Sequence, residues 1–332
     1  MKDHVGSRVM PTANEYRTGA ENLIAYLASD LTPEGVSKTS PDEIQLYYKL
    51  PTVLAYGDQR KLALASLEQF VHRFVADDQL IVDEYAAPWS MYLAGWAAWG
   101  AGSLGRFDLA KTIMSTVDDL QNTEWGGYQY RHEDSLIQDS MRTGAAALGC
   151  VWSGDVSRAA AASKFLKHTF ESQPDERFYF TSVGKEGRVL PNKDDRNVHF
   201  DLRDDQARPA MFATIIAALI WTSHLTSESK YLDLAEQHMR IVLAHTSDSS
   251  RMPLATKLGW AALMLSEQKK SEIAYSQFAH DCGSWLLENQ AADGSIDFSS
   301  VPEVEPPLDK IWLVGWGCDA AMTLVALANR NA

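Results

Sequence analysis

Hydrophobic and polar positions follow a helical period along most of the chain. In the segment 59–76, Leu62, Ala65, Leu67, Phe70 and Phe74 fall on one face, and charged side chains lie on the other. This spacing is typical of an amphipathic helix with one buried face. The same pattern predicts six such helices, at 13–29, 59–76, 107–120, 156–170, 228–245 and 271–289.

A second set of segments is apolar on nearly every side and rich in Ala, Gly and Trp. These segments lie at 41–56, 88–103, 134–152, 205–225, 252–266 and 309–328, and they alternate with the amphipathic ones. A helix that is apolar all round needs neighbours on most sides. The alternation, with most pairs repeating at roughly 45–50 residues, therefore predicts helical hairpins, each with an outer and an inner member.

The last predicted inner helix decides between an open and a closed array. An open helical solenoid ends in repeats with a polar outer face, but the segment 311–328 is as apolar as the central ones. We therefore predict that it packs against the first hairpin. The predicted fold is all-α, a single (α/α)6 toroid or barrel of six hairpins spanning residues 1–332. Its inner helices would start around one central cavity.

Two of the polar loops between outer and inner helices share a motif. Residues 285–295 read WLLENQAADGS, and residues 120–128 read LQNTEWGGY. A glutamine here can bind loop and helix-end backbone, and glycine permits the tight turn. The element resembles the Q-x-x-D-G-S/G element of squalene–hopene cyclases and protein prenyltransferase β-subunits. The resemblance implies a toroid of the terpenoid cyclase type.

The catalytic motifs of those families have no counterpart in this chain. The D-x-D-D acid motif of the cyclases is nearest to DLRDD at 201–205, which does not match it. Cys318 and Asp319 stand in the wrong order for the zinc ligands of the prenyltransferases, and no histidine follows them. The same toroid also resembles six-hairpin glycosidases, sugar epimerases, polysaccharide lyases and hydratase or isomerase enzymes, so the fold leaves the activity open.

The composition limits the classes of partner that this protein is expected to bind. The chain has 30 Lys and Arg against 44 Asp and Glu, and its net charge of −14 argues against a nucleic-acid partner. No apolar stretch is typical of a signal peptide or long enough to cross a membrane. The three cysteines lie far apart, which predicts buried free thiols in the cytoplasm. With no metal or phosphate motif, we expect no metal, no cofactor, a small-molecule substrate and a monomer or homodimer.

Residues 181–204 form an insertion in the fourth hairpin. Strand-like residues on both sides of the turn at 184–187 predict a β-hairpin. Because the segment leads into the fourth inner helix, we expect a lid or wall at the cavity mouth. Within it, His199 is the best histidine for proton transfer. The histidines of the outer helices, His238 among them, are expected to be solvated.

Four residues are candidates for catalysis: Asp139, His199, Asp204 and Tyr48. Asp139 lies three positions before Arg142 in an Ala-rich helix, where an ion pair needs a reason because burying charges is costly. Asp204 opens the fourth inner helix, and capping that helix is its alternative role. Tyr48 would donate a proton or hold an oxyanion if it faces the cavity, and would otherwise pack.

Aromatic and basic side chains near the same helix starts are candidates for binding. Trp89, Tyr92 and Trp96 share one helix face, and packing between hairpins is the alternative to a cavity role. The substrate-binding candidates are Arg142, Arg208, Trp89, Tyr92, Trp96, Lys257, Trp260, Trp312 and Trp316.

Three functions fit these features. The first is a cofactor-independent acid/base enzyme that acts on a small, largely apolar molecule of secondary metabolism, as a cyclase, isomerase, hydratase or dehydratase. Cations formed in such a reaction would be stabilised by aromatic faces. The second is a carbohydrate-active hydrolase, epimerase or lyase that uses paired aspartates. The third is a non-enzymatic helical-repeat binding protein.

Overall fold

The computed structural model describes residues 10–129, 137–174, 178–191, 199–201, 210, 212–245, 256–269, 273–299 and 310–330. Within these residues the chain forms outer helices that alternate with inner helices, as predicted. The outer helices are α1 (Ala13–Ser29), α3 (Arg60–Phe74), α5 (Phe107–Ser115), α7 (Val156–Glu171), α9 (Ser229–His245) and α11 (Ile273–Glu288). The inner helices are α2 (Leu50–Tyr56), α4 (Ser90–Ser103), α6 (Ser140–Ser153), α8 (Phe212–Thr226), α10 (Gly259–Gln268) and α12 (Lys310–Arg330).

The inner helices form a closed ring. Each packs against the next, from α2 through α4, α6, α8 and α10 to α12, and α12 packs against α2 and along α1. The predicted closure of the array, and with it the α/α toroid, is confirmed. Neighbours on both sides bury the inner helices. In α4, every residue from Ser90 to Gly102 is buried.

The first, third and fifth inner helices begin later than the pattern predicts; the fifth, expected from 252, begins at Gly259 after the 3-10 helix Thr256–Leu258. The first was expected from 41 but starts at Leu50, with Pro51 in its first turn, and is preceded by a short 3-10 helix, Ile44–Leu46. The third was expected from 134 but starts at Ser140, because the preceding residues Gln138–Asp139 form strand β3. The Ser140 amide donates to the carbonyl of Thr181 at 2.9 Å rather than to a helical partner. Tertiary pairing thus overrides helical propensity at this position.

The described part of the insertion contains the predicted hairpin. Val183 pairs with Val189 across a turn in which the Gly187 amide donates to the Gly184 carbonyl at 3.0 Å. Strand β5 (Ser182–Val183) pairs antiparallel with β3, and β4 (Phe178–Phe180) pairs with β6 (His199–Asp201). A further two-stranded turn, β1 (Val75–Ala76) and β2 (Gln79–Leu80), follows α3. The insertion is therefore tied to the start of α6, while its action as a lid stays a prediction.

The two glutamine loops clamp neighbouring hairpins together. Gln290 Nε2 donates to the carbonyl of Gly294 in its own loop at 3.1 Å and to that of Gly19 in α1 at 2.9 Å. Gln121 Nε2 does the same with Gly126 at 3.0 Å and with Arg158 in α7 at 3.2 Å. Gly294 and Gly126 both have positive φ, at 89° and 84°. Through the hydrogen bonds of its glutamine, each copy of the motif joins one hairpin to the next.

Close approach of α4 and α6 generates a stability prediction. A Cβ on Gly95 would lie 2.1 Å from the carbonyl oxygen of Ala145. Gly95→Ala therefore forces the backbones apart, and we expect a loss of at least about 2 kcal/mol in the free energy of unfolding, measured in urea.

The matched control is Gly315→Ala in α12, where, among the described residues, the new Cβ would meet only the Tyr48 hydroxyl oxygen at 3.8 Å. This variant gains helix propensity without a clash, so its stability should stay equal or rise by up to about 1 kcal/mol. Equal losses in the two variants would contradict the packing argument.

His238 of α9 is buried, and the expectation that it is solvated was wrong. Its Nδ1 lies 2.9 Å from the Leu234 carbonyl, and its Nε2 lies 3.2 Å from the hydroxyl of Tyr179 in β4. The rings of Phe170 and Phe212 pack around it. Burial lowers the pKa of His238 from 6.5 to about 4. A neutral His238 thus links β4 to α9.

Acid should weaken the fold through this histidine. The unfolded chain binds a proton at this site as the pH falls through about 6.5, but the folded protein does so only near 4. Stability is therefore lost as the pH falls between these values, by up to about 3 kcal/mol. Urea unfolding at pH 7.0 and 4.5 measures the loss, which should be smaller in His238→Gln. The exposed His72→Gln should retain the full loss, and an undiminished loss in His238→Gln would contradict the assignment.

Candidate active site

A cavity of about 220 Å³ lies at the amino ends of the inner helices. Its walls combine flat aromatic rings with ionised groups. They come from the segments that precede α2, α4 and α10 and from the N-terminal halves of α4, α6 and α12. The lining residues are Gln45, Tyr48, Lys49, Tyr85, Ala86, Trp89, Tyr92, Leu93, Met141, Lys257, Ile311, Gly315, Trp316 and Asp319.

A buried ion pair crosses the seam between the first and last inner helices. Lys49 Nζ lies 2.7 Å from Asp319 Oδ2 and donates to the Gly315 carbonyl at 3.0 Å. The side chains of Lys49 and Asp319 are only 4% and 3% exposed. Burial alone would lower the pKa of Lys49, but the Asp319 carboxylate raises it well above its ordinary value. The ammonium therefore stays charged inside the barrel.

A second lysine approaches the same carboxylate from the short 3-10 helix Thr256–Leu258, which precedes α10. Lys257 Nζ donates to the Tyr92 hydroxyl at 2.7 Å and lies 3.8 Å from Asp319 Oδ2. The same ammonium lies 5.2 Å from the Tyr92 ring centroid, within the range of a cation–π contact. The cavity thus contains two cations around one carboxylate.

Tyr48 faces Tyr92 across the cavity, with their ring centroids 5.9 Å apart. Burial raises the pKa of Tyr48 above its ordinary value. Its hydroxyl therefore keeps its proton at neutral pH and can donate a hydrogen bond to a bound molecule. This geometry suits Tyr48 to hold an oxygen of a substrate better than to act as a base.

Asp139 and Arg142 form a second buried pair beside this cavity. Asp139 Oδ1 accepts from the Arg142 amide at 2.9 Å, which caps α6, and lies 3.4 Å from the Arg142 guanidinium. Arg142 also donates to the Pro88 carbonyl at 2.8 Å and stacks on the ring of Trp89 at 4.1 Å. Asp139 Oδ2 is buried and has no hydrogen-bond partner within the described part of the chain. The pair lies behind Trp89, which lines the cavity.

The other predicted residues fall into three groups. Trp316 lines the cavity with the residues above. Trp96 and Trp260 are buried, 6.0 Å apart between ring centroids, and Trp260 lines a separate cavity at the opposite end of the barrel. Asp204 and Arg208 lie outside the described residues, and of His199 and Trp312 only the backbone, in β6 and α12, is described.

Sequence reasoning missed Lys49 and Asp319 as site residues. The available signal was a charged residue inside an otherwise apolar inner segment, next to Tyr48 in one case and Cys318 in the other. Neither charge has a partner nearby in the sequence, since their contact joins residues 270 positions apart.

The cysteines, metal-ligand clusters and membrane-spanning helices were also subjects of sequence predictions. Cys150, Cys282 and Cys318 are buried free thiols, as predicted. Burial raises the pKa of Cys150 to about 12, which keeps that thiol protonated. Among the described residues, no three His, Cys, Asp or Glu side chains cluster as metal ligands would. In the same part of the chain, no helix has the length and apolar character needed to cross a bilayer.

The seam ion pair leads to a stability prediction. Asp319→Asn leaves Lys49 buried without its carboxylate, so we expect a loss of about 3–5 kcal/mol in the free energy of unfolding. Lys49→Met should cost less, because Lys257 remains 3.8 Å from Asp319.

The double variant Lys49→Met with Asp319→Leu removes both charges, and it should be more stable than Asp319→Asn alone. Asp42→Asn, which breaks an exposed pair with Arg73, is the control and should leave urea unfolding unchanged. A double variant that is no more stable than Asp319→Asn would contradict the coupling.

Comparison with known proteins identifies the fold. No protein-family model and no curated protein sequence matches the chain. Among solved structures, an inactive variant of the α-1,6-mannanase GH76A of Salegentibacter sp. HEL1_6, bound to α-1,6-mannotriose, is 14% identical with a TM-score of 0.69, over 94% of this chain and 99% of that chain. A heparin-specific unsaturated glucuronyl hydrolase is 13% identical with a TM-score of 0.66, over 97% and 98%.

A D-mannose isomerase is 13% identical with a TM-score of 0.67, over 95% of this chain and 99% of its own. These three similar structures are all carbohydrate-active enzymes, and none is a terpenoid cyclase. At such low identity the similarity carries over the architecture and no site residue. The chain therefore has the α/α toroid fold that these enzymes share.

Proposed function

We propose that the protein is an enzyme that acts on a saccharide by general acid/base chemistry. The observation that carries this proposal is the mixed lining of the cavity, where Trp89 and Trp316 offer flat faces and Lys49, Lys257 and Asp319 offer ionised groups. A sugar ring has the same two aspects, since its C–H faces stack on aromatic rings and its hydroxyl edges bind polar groups.

The same lining argues against the first hypothesis drawn from the sequence, an enzyme for a largely apolar molecule. Such a ligand would exclude water from Lys257 and Asp319 and return no hydrogen bonds to them, which is costly for ionised groups. The carbohydrate hypothesis, the second of the three, therefore has the better support. A terpenoid-cyclase-like activity in secondary metabolism has no support.

The structural neighbours add to this argument. The mannanase is described as inactive when two adjacent aspartates are replaced, so that toroid performs its chemistry with carboxylates. The neighbours are two hydrolases and an isomerase of saccharides. We favour hydrolysis, because two of these three neighbours are hydrolases. Isomerisation of a free sugar is the second candidate, supported by the similarity to the mannose isomerase.

Cavity size bears on the substrate. Pockets for drug-sized ligands span roughly 300–1,000 Å³, whereas this cavity holds about 220 Å³. A single sugar or the end unit of a chain fits such a space better than the interior of a polymer. We therefore propose a small saccharide or a chain terminus as the substrate.

Roles follow from position. Asp139 would act as the proton donor or acceptor, because its buried Oδ2 lacks a partner in the described part of the chain. Tyr48 would donate a hydrogen bond to a substrate oxygen, and Trp89 and Trp316 would stack on the sugar. Other candidates from the sequence, not tested by the described side chains, are His199, Asp204, Arg208 and Trp312.

The cell compartment and assembly state belong to the same proposal. Three buried cysteines without disulfides fit the reducing cytoplasm. The outer helices present charged faces, as Lys61 and Lys111 do with their exposed side chains, which fits a monomer or a small homodimer.

Replacing Asp139 tests the proposal. Asp139→Asn keeps the helix cap, since asparagine caps as well as aspartate, but it removes the group that transfers the proton. We expect turnover to fall by about 10²–10⁴-fold. Because the variant also leaves the buried Arg142 without its carboxylate partner, the melting temperature should fall as well, and turnover is therefore measured well below the unfolding transition. The assay follows a panel of oligosaccharides and free aldoses by NMR, which detects both cleaved linkages and rearranged sugars.

Asp155→Asn is the matched control. Asp155 caps the outer helix α7, accepts from the Arg158 amide at 3.0 Å and pairs with the same arginine three positions later at 3.4 Å. The two sites share the same local chemistry but differ in burial and in distance from the cavity. Equal turnover in the two variants would rule out Asp139 as the acid/base group, and no conversion of any saccharide by the wild type would rule out the function itself.

A further inference from the structure

The charges of the cavity point to the class of sugar. We infer that Lys257 and Tyr92 form a subsite for a carboxylate, so that the substrate is an acidic sugar such as a uronic or aldonic acid. This inference rests on the proposed function and adds to it the substituent that the site selects.

Charge is distributed unevenly over the two lysines. Lys49 Nζ lies 2.7 Å from Asp319 Oδ2, whereas Lys257 Nζ lies 3.8 Å from the same oxygen, beyond hydrogen-bond distance. Two cations around one carboxylate leave a local excess of one positive charge among the described residues that line the cavity. This excess lies inside a chain whose net charge is −14, so it has to be explained locally.

Hydrogen-bond donors also outnumber acceptors at this place. The Tyr92 hydroxyl accepts from Lys257 at 2.7 Å, which leaves its own O–H to donate. The Tyr48 hydroxyl adds a second donor, and the side chain of Lys257, 18% exposed, keeps further N–H groups toward the cavity. An ionised carboxylate accepts several hydrogen bonds and donates none, so it complements this set of donors.

The helix directions act in the same sense. Trp89 is the N-cap residue of α4, and Met141 lies in the first turn of α6, so the amino ends of these two helices lie at the cavity. The positive ends of helix dipoles stabilise a nearby anion. They support the site that the side chains define.

Asp319 distinguishes a sugar acid from a simple anion. Asp319 lines the cavity, and its Oδ1 is buried and has no hydrogen-bond partner in the described part of the chain. A carboxylate next to a sugar hydroxyl satisfies both requirements, because the acid binds Lys257 while the hydroxyl donates to Asp319. A phosphate dianion fits less well, since its larger charge would lie close to the Asp319 carboxylate.

Calorimetric binding of matched sugar pairs tests the inference. The pairs are glucose with glucuronate, galactose with galacturonate and mannose with mannuronate. Binding of glucose 6-phosphate is measured separately for comparison. For at least one pair, we expect the acidic member to bind wild-type protein at least 10-fold more tightly than the neutral one, and this preference should shrink with added salt.

Three variants locate the effect. Lys257→Met should weaken binding of the acid at least 10-fold more than binding of the neutral sugar, so that the preference for the acid is lost, whereas Lys257→Arg should restore part of the preference. Lys164→Met, on the exposed face of α7, is the control and should bind like the wild type. The wild-type comparison of acid with neutral sugar stands even if Lys257→Met fails to fold.

Each of the other possible results contradicts one specific claim. Neutral sugars that bind as tightly as their acids overturn the carboxylate subsite and leave the proposed function standing. Tighter binding of the sugar phosphate than of every uronate overturns the assignment to a carboxylate. Absence of binding by any sugar overturns the proposed function and this inference with it.

Discussion

The need of the inner helices for neighbours on all sides shapes the whole molecule. A row of such helices would leave apolar faces open at both ends, whereas a ring gives every helix two neighbours. Packing of α12 against α1 and α2 meets this requirement. The backbones come so close that α4 carries a glycine, Gly95, where it meets α6. The amphipathic helices then cover the outside of the ring with polar faces toward water.

Closure also creates the place where chemistry is possible. The inner helices start at one end of the barrel, so residues from their N-terminal halves and from the segments before them meet there. An acidic chain thereby acquires a cavity with a local excess of positive charge, around Lys49, Lys257 and Asp319. Water is largely excluded from these groups, and electrostatic interactions are stronger in such surroundings than at the surface. The local charge of the cavity thus arises from the architecture as well as from individual residues.

The sequence predicts what depends on local periodicity and fails where distant contacts decide. Alternation of amphipathic and apolar segments predicts the ring, and the glutamine loops predict the joints between hairpins. The start of α6 was placed too early because Gln138 and Asp139, which look helical alone, pair with β5. Ser182 of β5 lies 43 positions after its partner Asp139. His238 was misjudged because the aromatic side chains of β4 and α8 that cover it lie elsewhere in the chain. Asp139 and Tyr48 were visible as unusual residues, but the partners of Lys49 and Asp319 exist only after closure.

The clamp between Gln290 and Gly19 has a kinetic consequence. This hydrogen bond joins residues 271 positions apart, and folds rich in such distant contacts form slowly, because a long loop must close before the contact stabilises it. A linear array of repeats can lose its terminal repeat while the others stay folded. In the ring, opening any hairpin breaks an interface on each side. The barrel should therefore unfold in one cooperative step, with α1 and α12 as resistant to hydrogen exchange as the central helices.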